Sequence, residues 1–144
     1  MNASPSELLS QTQSFFDRYA SEFDRSNWQA FAYHYFEPAF SVRADGSVAT
    51  LANRNAVADF FSRVWSTWCP EGYSRFGISD LSATPIGEQS ALVTLTWHLL
   101  RGDGSQIRQW NQSYQLLRVE GEWKVLSSTF HRPAATRVGL RGDA

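Results

Sequence analysis

At 144 residues, 42 % of them hydrophobic, the chain is one domain of ordinary size with enough apolar matter for a buried core. A net charge of −1 excludes the electrostatic footprint of a nucleic-acid or anionic-membrane binder. The one cysteine, Cys69, excludes an intrachain disulfide and a cysteine-built zinc site.

The chain opens on a helix. Ser4 or Ser6 is placed to cap it, and Pro5 is tolerated in a first turn. Leu8, Leu9, Thr12, Phe15, Phe16, Tyr19 and Phe23 recur at three- and four-residue spacing, one apolar stripe. The segment 24–27 interrupts it and offers caps for a short second helix with Trp28, Phe31, Ala32 and Tyr35, ending before Pro38. Phe40 to Arg43 reads as a strand, Asp45-Gly46 as a hairpin turn, and Val48 to Leu51 as its return. Asn53 or Asn55 caps a third helix, whose apolar face is Val57, Phe60, Phe61, Val64, Trp65 and Trp68. Cys69-Pro70-Glu71-Gly72 stops it, and Tyr73 to Ala83 is a bent strand.

Three antiparallel strands follow: Ser90 to Leu100, Ile107 to Val119, and Trp123 to Phe130. Asp103-Gly104 and Glu120-Gly121 join them, each read as a two-residue turn with positive φ at both positions. Such turns fix the register. Trp97 then faces Trp110, Val93 faces Tyr114, Leu116 faces Val125 and Trp110 faces His131. Alternation gathers Val93, Leu95, Trp97, Leu99, Trp110, Gln112, Tyr114, Leu116, Trp123, Val125, Thr129 and His131 on one face. The other holds Thr94, Thr96, His98, Gln109, Asn111, Ser113, Gln115, Ser128 and Phe130. From Pro133 the pattern dissolves, so the expected organisation is a single domain over 1–132 and a loose tail over 133–144. The start of the sequence lacks the order of a signal peptide, and no apolar run approaches the roughly 18 residues of a membrane span, so a soluble cytoplasmic protein is expected.

Helices on one face of a mostly antiparallel sheet make an α+β fold. At this point the chain resembles the nuclear transport factor 2-like superfamily, which includes SnoaL-like and ketosteroid isomerase-like proteins. The residues that carry the likeness are Tyr35-Phe36-Glu37-Pro38-Ala39-Phe40-Ser41-Val42-Arg43 with Asp45-Gly46, then Arg54 to Phe61, then Gly121-Glu122-Trp123-Lys124-Val125-Leu126. The likeness implies a strongly bent, mixed, mostly antiparallel sheet forming a cone, closed by three helices from the first half of the chain, with a pocket inside and often a dimer built on the outer sheet face. It does not imply one activity, because the superfamily holds isomerases, dehydratases, cyclases, binders and association domains. Isomerase-type members place a carboxylate base at the end of the first hairpin strand. That place falls on Ala44, with Asp45 beside it in a turn.

Between Glu88 and Glu120 the only carboxylate is Asp103 at a hairpin tip, so carboxylate-driven enolisation lacks its groups. His131 is the remaining acid–base candidate, with Tyr19 as a hydroxyl donor; each has an equally simple reading, a strand-end histidine and a core tyrosine. Trp65, Trp97, Trp110, Tyr114 and Gln112 are the candidate ligand contacts, and plain core rings are the alternative. His98 belongs to the polar face, and His34 is a lid residue or exposed. Arg43 and Arg54 read as surface ion-pairing groups, and Cys69 as structural. The three histidines have no metal spacing, and no Gly-rich phosphate loop or nucleophile elbow occurs, so neither metal nor cofactor is expected.

Two functions are compatible with this pattern. One is a small-molecule pocket protein taking an apolar or aromatic ligand, with or without cofactor-independent isomerase, cyclase or hydratase chemistry. The other is a non-catalytic dimerising module whose cup is filled by its own rings. In both, the face of Thr94, Thr96, His98, Gln109, Asn111, Ser113 and Gln115 is expected to form a homodimer contact.

Overall fold

The protein is described by a computed structural model, over residues 4–132. Helix α1 spans Pro5–Asp24. Ser4 caps it: the Ser4 hydroxyl accepts from the Glu7 amide (3.2 Å) and the Glu7 carboxylate accepts from the Ser4 amide (3.1 Å). Such reciprocal caps satisfy two orphan donors and stabilise a helix by about 1 kcal/mol. Its buried stripe is Leu8, Thr12, Phe15, Phe16, Tyr19, Ala20 and Phe23; Leu9, expected in the stripe, is 45 % exposed. Helix α2 is short, Trp28–Tyr33, capped by the Asn27 side chain. Helix α3 spans Arg54–Trp68, with the Asn53 carboxamide oxygen accepting from the Ala56 amide (2.9 Å). A 3-10 turn at Cys69–Glu71 and Gly72 at φ 92° then reverse the chain.

The strands are β1 (Tyr35–Val42), β2 (Val48–Leu51), β3 (Tyr73–Gly87), β4 (Ser90–Arg101), β5 (Gln106–Val119) and β6 (Glu122–Phe130). They form one open six-stranded sheet in the order β2-β1-β6-β5-β4-β3. All pairings are antiparallel except β1 with β6. The expected α+β architecture, a mixed sheet covered by helices, is what the chain adopts. Tyr35 differs from expectation: it begins β1 rather than ending α2, because the carbonyl of His34 already accepts from the Val125 amide (2.7 Å) and draws the chain into the sheet. Among the described residues no helix is long and apolar enough to cross a membrane. The tail proposed from Pro133 onward lies outside the described residues.

The turns hold two geometries. Glu120-Gly121 is the two-residue turn expected, with φ of 53° and 81°. At Gly102-Asp103-Gly104 the loop has three residues: the Arg101 amide donates to Ser105 (2.9 Å) and the Gly104 amide to Arg101 (2.9 Å). Only Gly104 of the Asp103-Gly104 pair has positive φ. A compensating bulge at Ile107 restores the register, so Trp97 faces Trp110 and Val93 faces Tyr114 as expected. The Ala44-Asp45-Gly46 turn repeats this form; in both turns the aspartate side chain accepts from the serine amide two residues on, at 2.9 Å.

A second bulge has larger consequences. Leu116 pairs with Val125 as expected, but Gln115 pairs with Ser127, leaving Leu126 unpaired. An extra residue exchanges the two faces for everything beyond it. Ser128 and Phe130 therefore point inward, while Thr129 and His131 point outward, the reverse of the expected assignment. His131 lies beside Asn111, to whose carbonyl its amide donates (3.0 Å), and not opposite Trp110.

Candidate functional site

The inner face of the bent sheet and the helices over it enclose a cavity of about 270 Å³. Helix α1 supplies Tyr19 and Phe23, β1 supplies Ser41 with Arg43 just beyond it, and α3 supplies Phe60, Phe61, Val64, Thr67 and Trp68. The sheet contributes Phe76, Trp97, Trp110, Gln112, Tyr114 and Phe130. The lining is mostly aromatic, with a few polar atoms, the usual make-up of a small-molecule site. Of the α3 face only Val57 is fully buried. Phe60, Phe61, Val64 and Trp68 stay half-buried because what they face is the cavity.

The floor holds two hydrogen-bonded pairs of rings. The indole Nε1 of Trp97 donates to the Tyr114 hydroxyl (2.8 Å), and the hydroxyls of Tyr19 and Tyr35 lie 2.6 Å apart. The Tyr114 and Tyr19 rings meet edge to face, 6.1 Å between centroids. An indole N–H only donates, so Trp97 gives to Tyr114, whereas either hydroxyl of the Tyr19–Tyr35 pair can be the donor. Burial holds all three tyrosine hydroxyls far above their ordinary titration range, so they stay protonated donors. The rings interlock, with Tyr19 stacked on Trp97 (5.8 Å between centroids) and Phe76 against Trp97 (4.7 Å).

The upper wall is different. The Trp110 indole donates to the Gln112 carboxamide oxygen (3.0 Å), leaving the Gln112 amide nitrogen without a partner among the described residues, although the residue is only 5 % exposed. Ser41 is 5 % exposed and its hydroxyl is likewise unpartnered among the described residues. Ala39 and Ser41 share the inward face of β1, and Arg43, exposed just beyond the strand's end, lines the mouth. There Trp110 stacks on Phe130 (6.2 Å, 21° between planes) and meets Trp68 at 5.7 Å.

Of the residues expected to form a site, Tyr19, Trp97, Trp110, Gln112 and Tyr114 come together around this cavity. Trp65 does not: it packs on Trp28 (6.2 Å), and its buried indole nitrogen has no hydrogen-bond partner among the described residues. His131 does not line the cavity either. The Leu126 bulge turns its Nε2 to the Ser113 hydroxyl (2.8 Å) on the outer face, and its ring reaches only an open vestibule outside the mouth. On that outer face Thr94 pairs with Ser113 (2.8 Å), Thr96 with Asn111 (2.7 Å), and His98 with both Ser79 (2.7 Å) and Gln106 (2.6 Å). His34 is neither a lid nor exposed; it is buried against Phe15 and bonded to Glu22, and burial lowers its pKa. Arg54 lies over the Tyr33 ring, and Arg43 makes no ion pair among the described residues. Ser41, Arg43, Thr67 and Phe130 are the lining residues that sequence reasoning missed. Alternation from Ala39 would have found Ser41; nothing in the local pattern marks the bulge that delivers Phe130.

Asp24, at the end of α1, accepts from the Tyr73 hydroxyl and from the Phe76 amide (3.0 Å), pinning the helix to the strand that carries Phe76 into the cavity. Burial pushes its carboxyl up to about 6, against the pull of these two donors and of Arg75 and Arg25.

The model of a family described as NTF2-like protein (DUF6841) matches residues 7–133. No curated protein matches the chain. Among solved structures it is similar to Aln2 from a Streptomyces species, at 19 % identity and a TM-score of 0.70, over 92 % of this chain and 94 % of that one. It is also similar to an NTF2-like protein with a cystatin-like fold from Novosphingobium aromaticivorans (15 %, TM-score 0.73, 90 % and 84 %). A third is a protein from Streptomyces avermitilis provisionally described as a dehydratase of the NTF2-like family (15 %, TM-score 0.70, 92 % and 100 %). Likenesses at such identities concern the fold.

Proposed function

Because the chain belongs to the NTF2-like protein family DUF6841, we propose that it is a small-molecule-binding protein whose planar, apolar ligand occupies the aromatic cup. The observation that carries this reading is the cavity of about 270 Å³ walled by Trp68, Trp97, Trp110, Phe76 and Phe130. A self-filled cup would leave no such space between α3 and the sheet. Flat rings offer a flat ligand stacking surface, and the Gln112 amide and Ser41 hydroxyl offer it two hydrogen bonds. The lining places tyrosine hydroxyls at the floor, and each is bound to another ring of the floor. We therefore favour retention of a ligand over proton transfer. The dehydratase description of the Streptomyces avermitilis protein keeps a reaction of that type in view.

The outer face of Thr94, Thr96, His98, Gln109, Asn111, Ser113 and Gln115 is proposed to pair with a second copy. Support comes from its uncharged side chains beside exposed Leu92 (42 %); apolar area amid hydrogen-bonding groups suits an interface between identical surfaces.

The test is native mass spectrometry of the purified protein, followed by thermal-shift screening of planar apolar molecules. The expected result is a co-purified small molecule or a raised melting temperature. The variant Val64→Trp, which fills the cavity from α3, is expected to lose that shift while keeping its circular dichroism. A Val64→Trp protein that responds like wild type would place the ligand elsewhere, and a wild-type protein that responds to nothing would remove the pocket reading.

A further inference from the structure

The cup opens into a shallow vestibule of about 400 Å³ that shares Arg43, Trp68, Trp110 and Phe130 with it. Apolar rings thus run without a break from the floor to the surface, with charge only at the outer end. Two arginines stand there. Arg108 is neutralised: its guanidinium forms two bonds of 2.9 Å to the Glu71 carboxylate, and it lies over the Trp68 ring. Arg43 is not. It has no ion-pair partner among the described residues, and its one acidic neighbour in sequence, Asp45, is occupied by the amide (2.9 Å) and hydroxyl (2.8 Å) of Ser47. The linings of cup and vestibule contain no carboxylate. The mouth therefore carries one positive charge that makes no contact ion pair among the described residues, with Asp45 acting on it only at longer range, and it is borne by a group whose geometry matches a carboxylate in a two-bond fork. Just inside it, the Gln112 amide nitrogen and Ser41 hydroxyl add donors without partners among the described residues.

We infer that the ligand of the cup is an aromatic acid, its ring system stacked within and its carboxylate held at the mouth by Arg43. This rests on the cup being a ligand pocket, so the experiment separates the two. Isothermal titration of the full-length protein compares 2-naphthoate with 2-naphthamide, which have nearly the same shape and differ in charge. The expected result is a preference for naphthoate of about fivefold to tenfold, the scale of an ion pair at a partly exposed site, and narrower at high salt. Arg43→Gln is expected to erase the preference, bringing naphthoate affinity down to that of naphthamide, and Arg108→Gln to retain it. Equal binding of both probes by the wild type would overturn the acid specificity and leave the pocket standing. A preference that survives Arg43→Gln would overturn the assignment to that residue. Binding of neither probe would remove the pocket and the acid together.

Discussion

The floor of the cup and its mouth use the same kinds of side chain and treat their polar atoms in opposite ways. At the floor the Trp97 indole N–H is taken by Tyr114, and the Tyr19 and Tyr35 hydroxyls are bound to each other. At the mouth, Gln112, Ser41 and Arg43 hold donors that no described residue takes up. Buried polar groups are costly unless satisfied. A polar atom satisfied internally contributes to stability; one left open beside a cavity is available for recognition. The two regions should therefore respond oppositely to mutation, the floor in stability and the mouth in binding.

The largest effect is expected at the floor. Trp97→Ala removes a ring that is 1 % exposed and contacts both Tyr19 and Phe76; it should cost about 3–5 kcal/mol by urea denaturation, and a loss below about 1 kcal/mol would break the comparison. Tyr19→Phe keeps the ring and removes the hydrogen-bond partner of the buried Tyr35 hydroxyl; the expected cost is about 1–2 kcal/mol. Asp24 tests how the floor is tied to the helix above it. Its native carboxyl, pushed up to about 6 from 3.8, holds its proton more firmly than the unfolded chain does. Between about pH 4 and 6 the native state then binds more protons, so this group makes stability fall as pH rises, by at most about 1.4 kcal/mol per pH unit for one proton. Asp24→Asn should remove that slope. His34, lowered by burial, contributes in the opposite sense below its unfolded value of 6.5, but it is common to both proteins, so the difference between them isolates Asp24. The smallest stability effect belongs to the mouth: Arg43→Gln should stay within about 0.5 kcal/mol of wild type.

Much of this fold is written in local signals. The caps at Ser4 and Asn53, the stripe from Leu8 to Phe23 apart from Leu9, and the Glu120-Gly121 turn each have a short-range cause, and each stands where the sequence places it. The pairing of Trp97 with Trp110 was legible although the turn joining the strands was not. Gly102 lengthens the loop by one residue, the bulge at Ile107 takes that residue back, and the two departures cancel. Nothing cancels the bulge at Leu126. In Val125-Leu126-Ser127-Ser128, two apolar residues precede two small polar ones, so alternation is consistent with either face, and pairing with β5 decides which residue stays unpaired. That one residue moves Phe130 into the cavity and His131 out of it. His34 was misread for a different reason: its partner Glu22 lies on another helix, and a long-range pair leaves no local spacing to detect. Arg43 is the surface group that its place at the end of a short strand suggests, but it makes no ion pair among the described residues and stands at the cavity mouth.

The six tryptophans provide the most direct test of the cup. Trp68, Trp97 and Trp110 line the cavity; Trp28, Trp65 and Trp123 lie outside it. Their indole N–H resonances should be followed in a ¹H–¹⁵N correlation spectrum, assigned by single Trp→Phe variants, as 2-naphthoate is added. The account predicts that the signals of Trp68, Trp97 and Trp110 move together along one binding curve while the other three hold still. Movement confined to Trp28, Trp65 or Trp123, or no movement at saturating probe, would contradict it.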